Sequence, residues 1–139
     1  GDVQLSLIQQ TVVTGAVIVT TPSTVAIEDS VKAVRMFEKL QVPVLGVIEN
    51  MSWFLCGNCQ TRHEIFSSGD AQSRALALGL PFLGSLPLES AVRKGGDSGA
   101  PIVAAIPDSE TTRAFKTLAG SLAQRVSIAT LGAGVGADA

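Results

Sequence analysis

The sequence predicts an α/β fold, a mostly parallel sheet with flanking helices, and three observations predict it. Gly15-Ala16-Val17-Ile18-Val19-Thr20-Thr21 is apolar at successive positions, the pattern of a strand buried on both faces of a parallel sheet. From Val25 to Leu40 the period becomes helical, with Ile27, Val31, Val34 and Phe37 on one face and Glu28, Lys32, Arg35 and Lys39 on another. Pro43 then opens a second continuous apolar run, Val44-Leu45-Gly46-Val47-Ile48. Strand, helix and strand in about thirty residues make a βαβ unit, whose crossover is expected to be right-handed.

The remaining elements follow in order. Val3 to Gln10 reads as a helical segment before the first strand. Pro22 ends that strand, and Ser23 or Thr24 is placed to cap the helix. Within that helix, Glu28 and Lys32 form a favourable i, i+4 pair. Glu49-Asn50-Met51-Ser52 leaves the carboxyl end of the second strand, the edge where open parallel sheets bind ligands. Glu64-Ile65-Phe66 reads as a short returning strand, and Asp70 to Leu78 as a helix with Ala71, Ala75 and Leu78 inward and Gly79 as its stop. Pro81 to Leu86 is a third strand, with Pro87 at its carboxyl end, and Leu88 to Lys94 a short helix. Gly95-Gly96-Asp97-Ser98-Gly99-Ala100-Pro101 reads as a loop. Ser109 caps a last amphipathic helix with Phe115, Leu118 and Leu122 on one face. Beyond it the composition turns to Ala and Gly, so residues 128–139 are expected to form a disordered tail.

Bulk composition narrows the function. A chain of 139 residues, 46% hydrophobic and 16% charged, is long and apolar enough for one domain with a sizeable core. A net charge of -2 gives no electrostatic footprint for nucleic acid. No apolar run reaches the roughly 18 residues of a membrane span, and Gly-Asp-Val-Gln carries no secretory signal. Because residue 1 is Gly and stands close to the start of a helical segment, the chain reads as a piece of a longer protein.

The chemistry concentrates at Cys56-Gly57-Asn58-Cys59, which holds the only two cysteines. Thiols two residues apart can close a small disulfide, run redox chemistry, or supply half of a four-thiolate metal site. A redox pair sits at the start of a helix, where the dipole lowers the thiol pKa. Here the pair follows a strand and runs into Gln60-Thr61-Arg62-His63, which has no strong helix signal. Two cysteines cannot close a four-thiolate site in one chain, but two chains across a two-fold axis can. A bridging zinc and a bridging [4Fe-4S] cluster fit that count equally well, and an incidental pair of loop cysteines is the bland alternative. His63, the only histidine, reads as a solvated loop residue, and no Ser/His/Asp arrangement supports a hydrolase. Trp53, Phe54 and Leu55 are either core residues under the loop or an exposed apolar rim around the thiols, and three consecutive large apolar residues in an irregular loop favour the rim. Asn50 is either a turn residue satisfying its own backbone or an amide able to read an adenine edge. No G-x-x-x-x-G-K-[ST] phosphate loop occurs anywhere in the sequence.

Several stretches together resemble the Mrp family, iron–sulfur cluster carrier ATPases of the ParA/MinD group of P-loop proteins. They are Gly1 to Leu7, Thr14 to Pro22, Val42 to Ser52 with its Glu-Asn-Met-Ser end, Cys56 to Cys59, Gly84 to Leu88 and Gly95 to Val103. The resemblance implies a P-loop NTPase fold of ParA/MinD type lacking its N-terminal half, with residues 1–127 as the C-terminal part of the domain. It implies that Cys56 and Cys59, with their mates from a second subunit of a homodimer, hold a [4Fe-4S] cluster for transfer to apo iron–sulfur proteins. Asn50 matches the position that contacts adenine, and Pro87 the segment that lines the base. ATP and Mg²⁺ are expected in the intact protein, whose phosphate loop and Mg²⁺-coordinating residues lie in the half not present here, so this chain alone is not expected to hydrolyse ATP. The alternative is a regulatory ParA/MinD-type ATPase fragment with zinc or no metal at the cysteines, acting as an interaction module. The cysteine usage suits a reducing compartment: cytoplasm, or alternatively mitochondrial matrix or chloroplast stroma.

Overall fold

The computed structural model describes residues 2–66 and 70–134. Three parallel strands, β1 (Ala16–Thr20), β2 (Val44–Glu49) and β5 (Phe82–Ser85), form a sheet in the order β1-β2-β5. Helix α2 (Thr24–Lys39) links β1 to β2, and α3 (Asp70–Ala77) precedes β5. Between β2 and α3 lies a small antiparallel hairpin, β3 (Phe54–Leu55) with β4 (Arg62–His63). Helix α1 (Asp2–Gln10) opens the chain, and α4 (Ser90–Ser98), α5 (Ile102–Ala105) and α6 (Glu110–Gly134) follow the last strand.

The core has two sides, as an α/β sheet covered on both faces requires. On one, Ile18 of β1 and Val47 of β2 pack with Val34 of α2 and Ala75 of α3, flanked by Phe37 and Phe82. On the other, Ile48, Leu83 and Leu86 meet Leu118 of α6, flanked by Phe115 and Leu122. The helical faces are thus those the periodicity predicts. At Gly46 the second strand approaches its neighbour closely: a Cβ there would lie 2.6 Å from Leu83 Cγ and 2.8 Å from the Pro81 carbonyl oxygen. Gly79, at φ 69°, ends α3 in the left-handed conformation that its missing Cβ permits. Ser109 caps α6, its Oγ accepting from the Thr112 amide at 3.0 Å.

Several details differ from the sequence expectations. β1 is not buried on both faces: Val19 is 59% exposed, because among the described residues β1 lies at the end of the sheet and α6 packs over β5 and β2. Glu28 does not pair with Lys32. It binds Arg74 of α3 at 2.6 Å, and Lys32 binds Asp29 at 2.8 Å, so the longer-range partner outcompetes the i, i+4 one. Ser23 takes the N-cap position of α2 without a side-chain cap bond. The predicted loop at 95–101 begins only at Gly99. Helix α4 runs through Gly95 and Gly96, supported by the Arg93–Asp97 ion pair at 2.6 Å, and stops at Gly99 in the left-handed conformation. The returning strand of the hairpin is Arg62–His63 rather than 64–66. Helix α6 continues across residues 128–134 of the expected tail. Extending an existing helix through Ile128, Ala129 and Leu131 costs no new nucleus. Residues 135–139 of that tail lie outside the described residues.

Candidate functional site

The carboxyl end of β2 organises the site. The Asn50 amide donates to the Thr20 carbonyl at 2.7 Å, tying this strand end to β1. Met51 turns the chain with φ 60°, and the Met51 amide donates to Asn50 Oδ1 at 3.0 Å. The Asn50 side chain therefore serves its own turn here, the bland role for such a residue. It also lines an open groove of about 730 Å³, beside Thr20 of β1, the following Thr21, and Asp29 and Lys32 of α2.

From Ser52 onward the chain zips onto the segment that follows β5. The Ser52 amide donates to Leu86 O at 3.0 Å, Leu88 to Trp53 O at 2.7 Å, and Leu55 to Leu88 O at 3.1 Å. The Leu86 amide donates back to Glu49 O at 2.8 Å. Pro87, which is buried, sits within this ladder. The structure thus joins the Asn50 loop, the Pro87 segment and the cysteine hairpin into one continuous unit.

This extended backbone overturns the expected apolar rim. In a strand, alternate residues face the same way. Trp53 and Leu55 turn inward and are buried, Leu55 to 2% exposure, while half-buried Phe54 faces the other side. There the Phe54 ring lies 6.2 Å from that of His63, its partner across the hairpin. His63 is exposed, as expected, and stands in the returning strand β4 rather than in a loop.

Cys56 and Cys59 occupy the hairpin tip as free thiols, Cys56 half-buried and Cys59 exposed. The Cys56 amide donates to Thr61 O at 3.1 Å and the Gln60 amide to Cys56 O at 2.9 Å, with Gln60 in the left-handed region at φ 56°. Cys59 Sγ lies 3.1 Å from Thr61 Oγ1. The Thr61 hydroxyl, then the Thr61 backbone and the Cys56 thiol, hold the Cys59 thiol below its ordinary pKa by hydrogen bonding the thiolate. No helix begins at the pair, so the helix-dipole device of a redox motif is not what lowers it. Two soft sulfur donors suit zinc or iron–sulfur chemistry. Among the described residues no cluster of three or more His, Cys, Asp or Glu side chains is arranged to hold a metal within one chain.

Thr61 was not marked by the sequence as part of this site; a threonine two residues after a cysteine carries no signal until the hairpin folds back. Glu49, Trp53 and Arg62 were likewise missed as a group, and they line one cavity beneath the hairpin.

The sequence profile of the family described as ParA, NUBPL iron-transfer P-loop NTPase, matches residues 1–123. The chain belongs to this family. Its relatives include an iron–sulfur cluster carrier protein of Deinococcus radiodurans, 49% identical over 94% of this chain and 37% of that protein. Another is the iron–sulfur cluster transfer protein NUBPL of Dictyostelium discoideum, 40% identical over 92% of this chain and 40% of that protein. The chain therefore spans well under half the length of these iron-transfer relatives. Among solved structures, the cell division ATPase MinD of Pyrococcus furiosus aligns over 79% of this chain and 42% of its own, at a TM-score of 0.63 and 23% identity, a likeness of fold. A nucleotide-binding protein of Archaeoglobus fulgidus, solved with ADP, aligns over 72% of this chain and 41% of its own, at a TM-score of 0.58 and 36% identity. The mostly parallel sheet with flanking helices is thus the fold of this P-loop family. Among the described residues no helix is long and apolar enough to cross a membrane.

Proposed function

We propose that this chain carries an iron–sulfur cluster as cargo, held by Cys56 and Cys59 together with the same two cysteines of a second copy, for delivery to apo iron–sulfur proteins. The observation that carries the reading is the pair of free thiols presented together at one hairpin tip. Four thiolates match the ligand count of a [4Fe-4S] cluster, and each copy supplies two. The thiolate is the ligating form, and the Thr61 hydroxyl favours it at Cys59. A two-fold arrangement leaves the cluster at the surface between copies, where an acceptor's thiolates can reach it. The free thiols suit a reducing compartment, the cytoplasm or an organelle matrix.

Coupling to nucleotide is the second part of the proposal. Asn50 contacts the adenine of ATP in the intact protein, and Pro87 lines the base. Both lie on the ladder that supports the hairpin, so a base bound at Asn50 bears on the cysteines through backbone hydrogen bonds. The residues present bind and orient; phosphate and Mg²⁺ chemistry belongs to the rest of the domain. Residues 1–127 form its C-terminal part.

Anaerobic reconstitution with iron and sulfide tests the cargo. A brown dimer with a visible charge-transfer band, lost in both Cys56→Ser and Cys59→Ser, is the expected result. A colourless protein with one zinc per dimer points instead to a regulatory ParA/MinD-type ATPase. A chain that stays monomeric at every concentration removes the shared site. The 139-residue chain is expected to show no ATP turnover above background, and measurable turnover refutes that expectation.

A further inference from the structure

The chain's single tryptophan borders a cavity of about 250 Å³ beneath the cysteine hairpin. Glu49, Trp53, Arg62, Gln72, Phe82 and Ser85 line it. Glu49 is 3% exposed and Trp53 8% exposed. Two polar atoms here have no hydrogen-bond partner: Glu49 Oε2 and Trp53 Nε1. The Arg62 guanidinium lies over the indole, 3.9 Å from the ring centroid. A buried donor or acceptor left unpaired is costly, so two on one cavity call for an occupant.

The wall chemistry limits what that occupant is. Glu49 offers a negative acceptor. Trp53 offers an N–H donor and Arg62 a positive charge. A metal cation meets a guanidinium and an indole N–H, neither able to ligate it. A simple anion meets the buried Glu49 carboxylate and leaves Oε2 unpaired. A molecule carrying an ammonium and a carboxylate a few bonds apart satisfies both walls. The volume lies just below the roughly 300–1,000 Å³ of sites for larger organic ligands, which restricts the occupant to a small one.

We propose that this cavity binds a small zwitterion of α-amino-acid type, its ammonium on Glu49 and its carboxylate on Trp53 Nε1 and Arg62. Glu49 immediately precedes Asn50, and Arg62 immediately follows Thr61. The ligand therefore bridges the end of β2 and the returning strand of the hairpin, and its binding stiffens the mount of the cysteines.

Trp53 fluorescence reads the site directly in the 139-residue chain. Titration with glycine and with L-serine is expected to change the emission saturably, while acetate and methylammonium at equal concentration do not. Glu49→Gln and Arg62→Gln are each expected to weaken binding by about tenfold or more. Arg62 is exposed, so its variant keeps the fold, which circular dichroism checks; if Glu49→Gln fails to fold, Arg62→Gln decides. The absence of a saturable response up to about 10 mM, an equal response to the single-charge probes, or unchanged affinity in Arg62→Gln means that solvent fills the cavity and overturns the proposal. Neither iron nor nucleotide enters this experiment, so its failure leaves the cluster proposal untouched.

Discussion

Leu55→Ala separates the anchoring of the hairpin from its chemistry. Leu55 is 2% exposed and immediately precedes Cys56, so its side chain is the apolar weight that holds β3 down. The substitution removes three carbons. At about 0.8 kcal/mol per buried methylene the transfer loss is about 2.4 kcal/mol, and the cavity left behind brings the total to about 2–5 kcal/mol. That is a large part of the roughly 5–15 kcal/mol that holds a domain together. The hairpin has only two residues per strand, and such a small hairpin is not stable by itself. The loss therefore falls first on local opening. Two assays measured together resolve this: urea unfolding followed by circular dichroism, and the rate of Cys56 and Cys59 alkylation in native buffer. Faster alkylation of both thiols, with a smaller fall in the urea midpoint than full coupling requires, is the expected pattern. Unchanged alkylation and an unchanged midpoint would show that Leu55 anchors nothing.

Other consequences are testable with single substitutions. Because hydrogen bonding from Thr61 holds the Cys59 pKa down, Cys59 alkylation turns on at lower pH than for an ordinary thiol; Thr61→Val removes the hydroxyl donor, and the midpoint of the alkylation pH profile moves upward. Gly46→Ala places a Cβ against the Pro81 carbonyl, which is backbone and cannot swing away, so a loss of about 1–3 kcal/mol is expected in urea unfolding. Thr111→Val deletes the donor to the buried Glu89 carboxylate while keeping the shape, and leaving that charged acceptor unpaired is expected to cost about 1.5–3 kcal/mol, read as a lowered thermal midpoint.

Long elements with one clear period were legible in the sequence. Val31 and Val34 of α2 and the apolar run of β2 announce themselves because burial of one face, or of both, is written directly in the spacing. What was not legible depends on contacts distant in sequence. Val19 reads as buried, but among the described residues no helix covers its side of β1. Trp53 and Leu55 read as loop residues until the segment from Leu86 to Leu88 supplies a hydrogen-bonding partner and imposes a two-residue alternation. Gly95 and Gly96 are the exception: they read as a loop on propensity, although the i, i+4 spacing of Arg93 and Asp97 that spans them is local. The two cysteines and Asn50 were singled out from residue type and place, and the structure sets them on one connected unit. Thr61 and the Glu49, Trp53 and Arg62 group were not, since nothing in their spacing shows that a hairpin stacks them together.

The backbone ladder beneath the hairpin has an entropic consequence. Fixing one residue's backbone costs about 1–2 kcal/mol, and a mobile cysteine loop would incur that loss for several residues each time it captured iron. Here the bonds from Cys56 to Thr61, from Gln60 to Cys56 and from Leu55 to Leu88 set the main chain during folding, before any metal arrives. On the proposed reading, capture then orders little beyond two short side chains. If the chain carries a cluster as proposed, it must also release it, and a preorganised cradle would let the affinity be set by sulfur chemistry and by the meeting of two copies, with no refolding of the loop in each cycle.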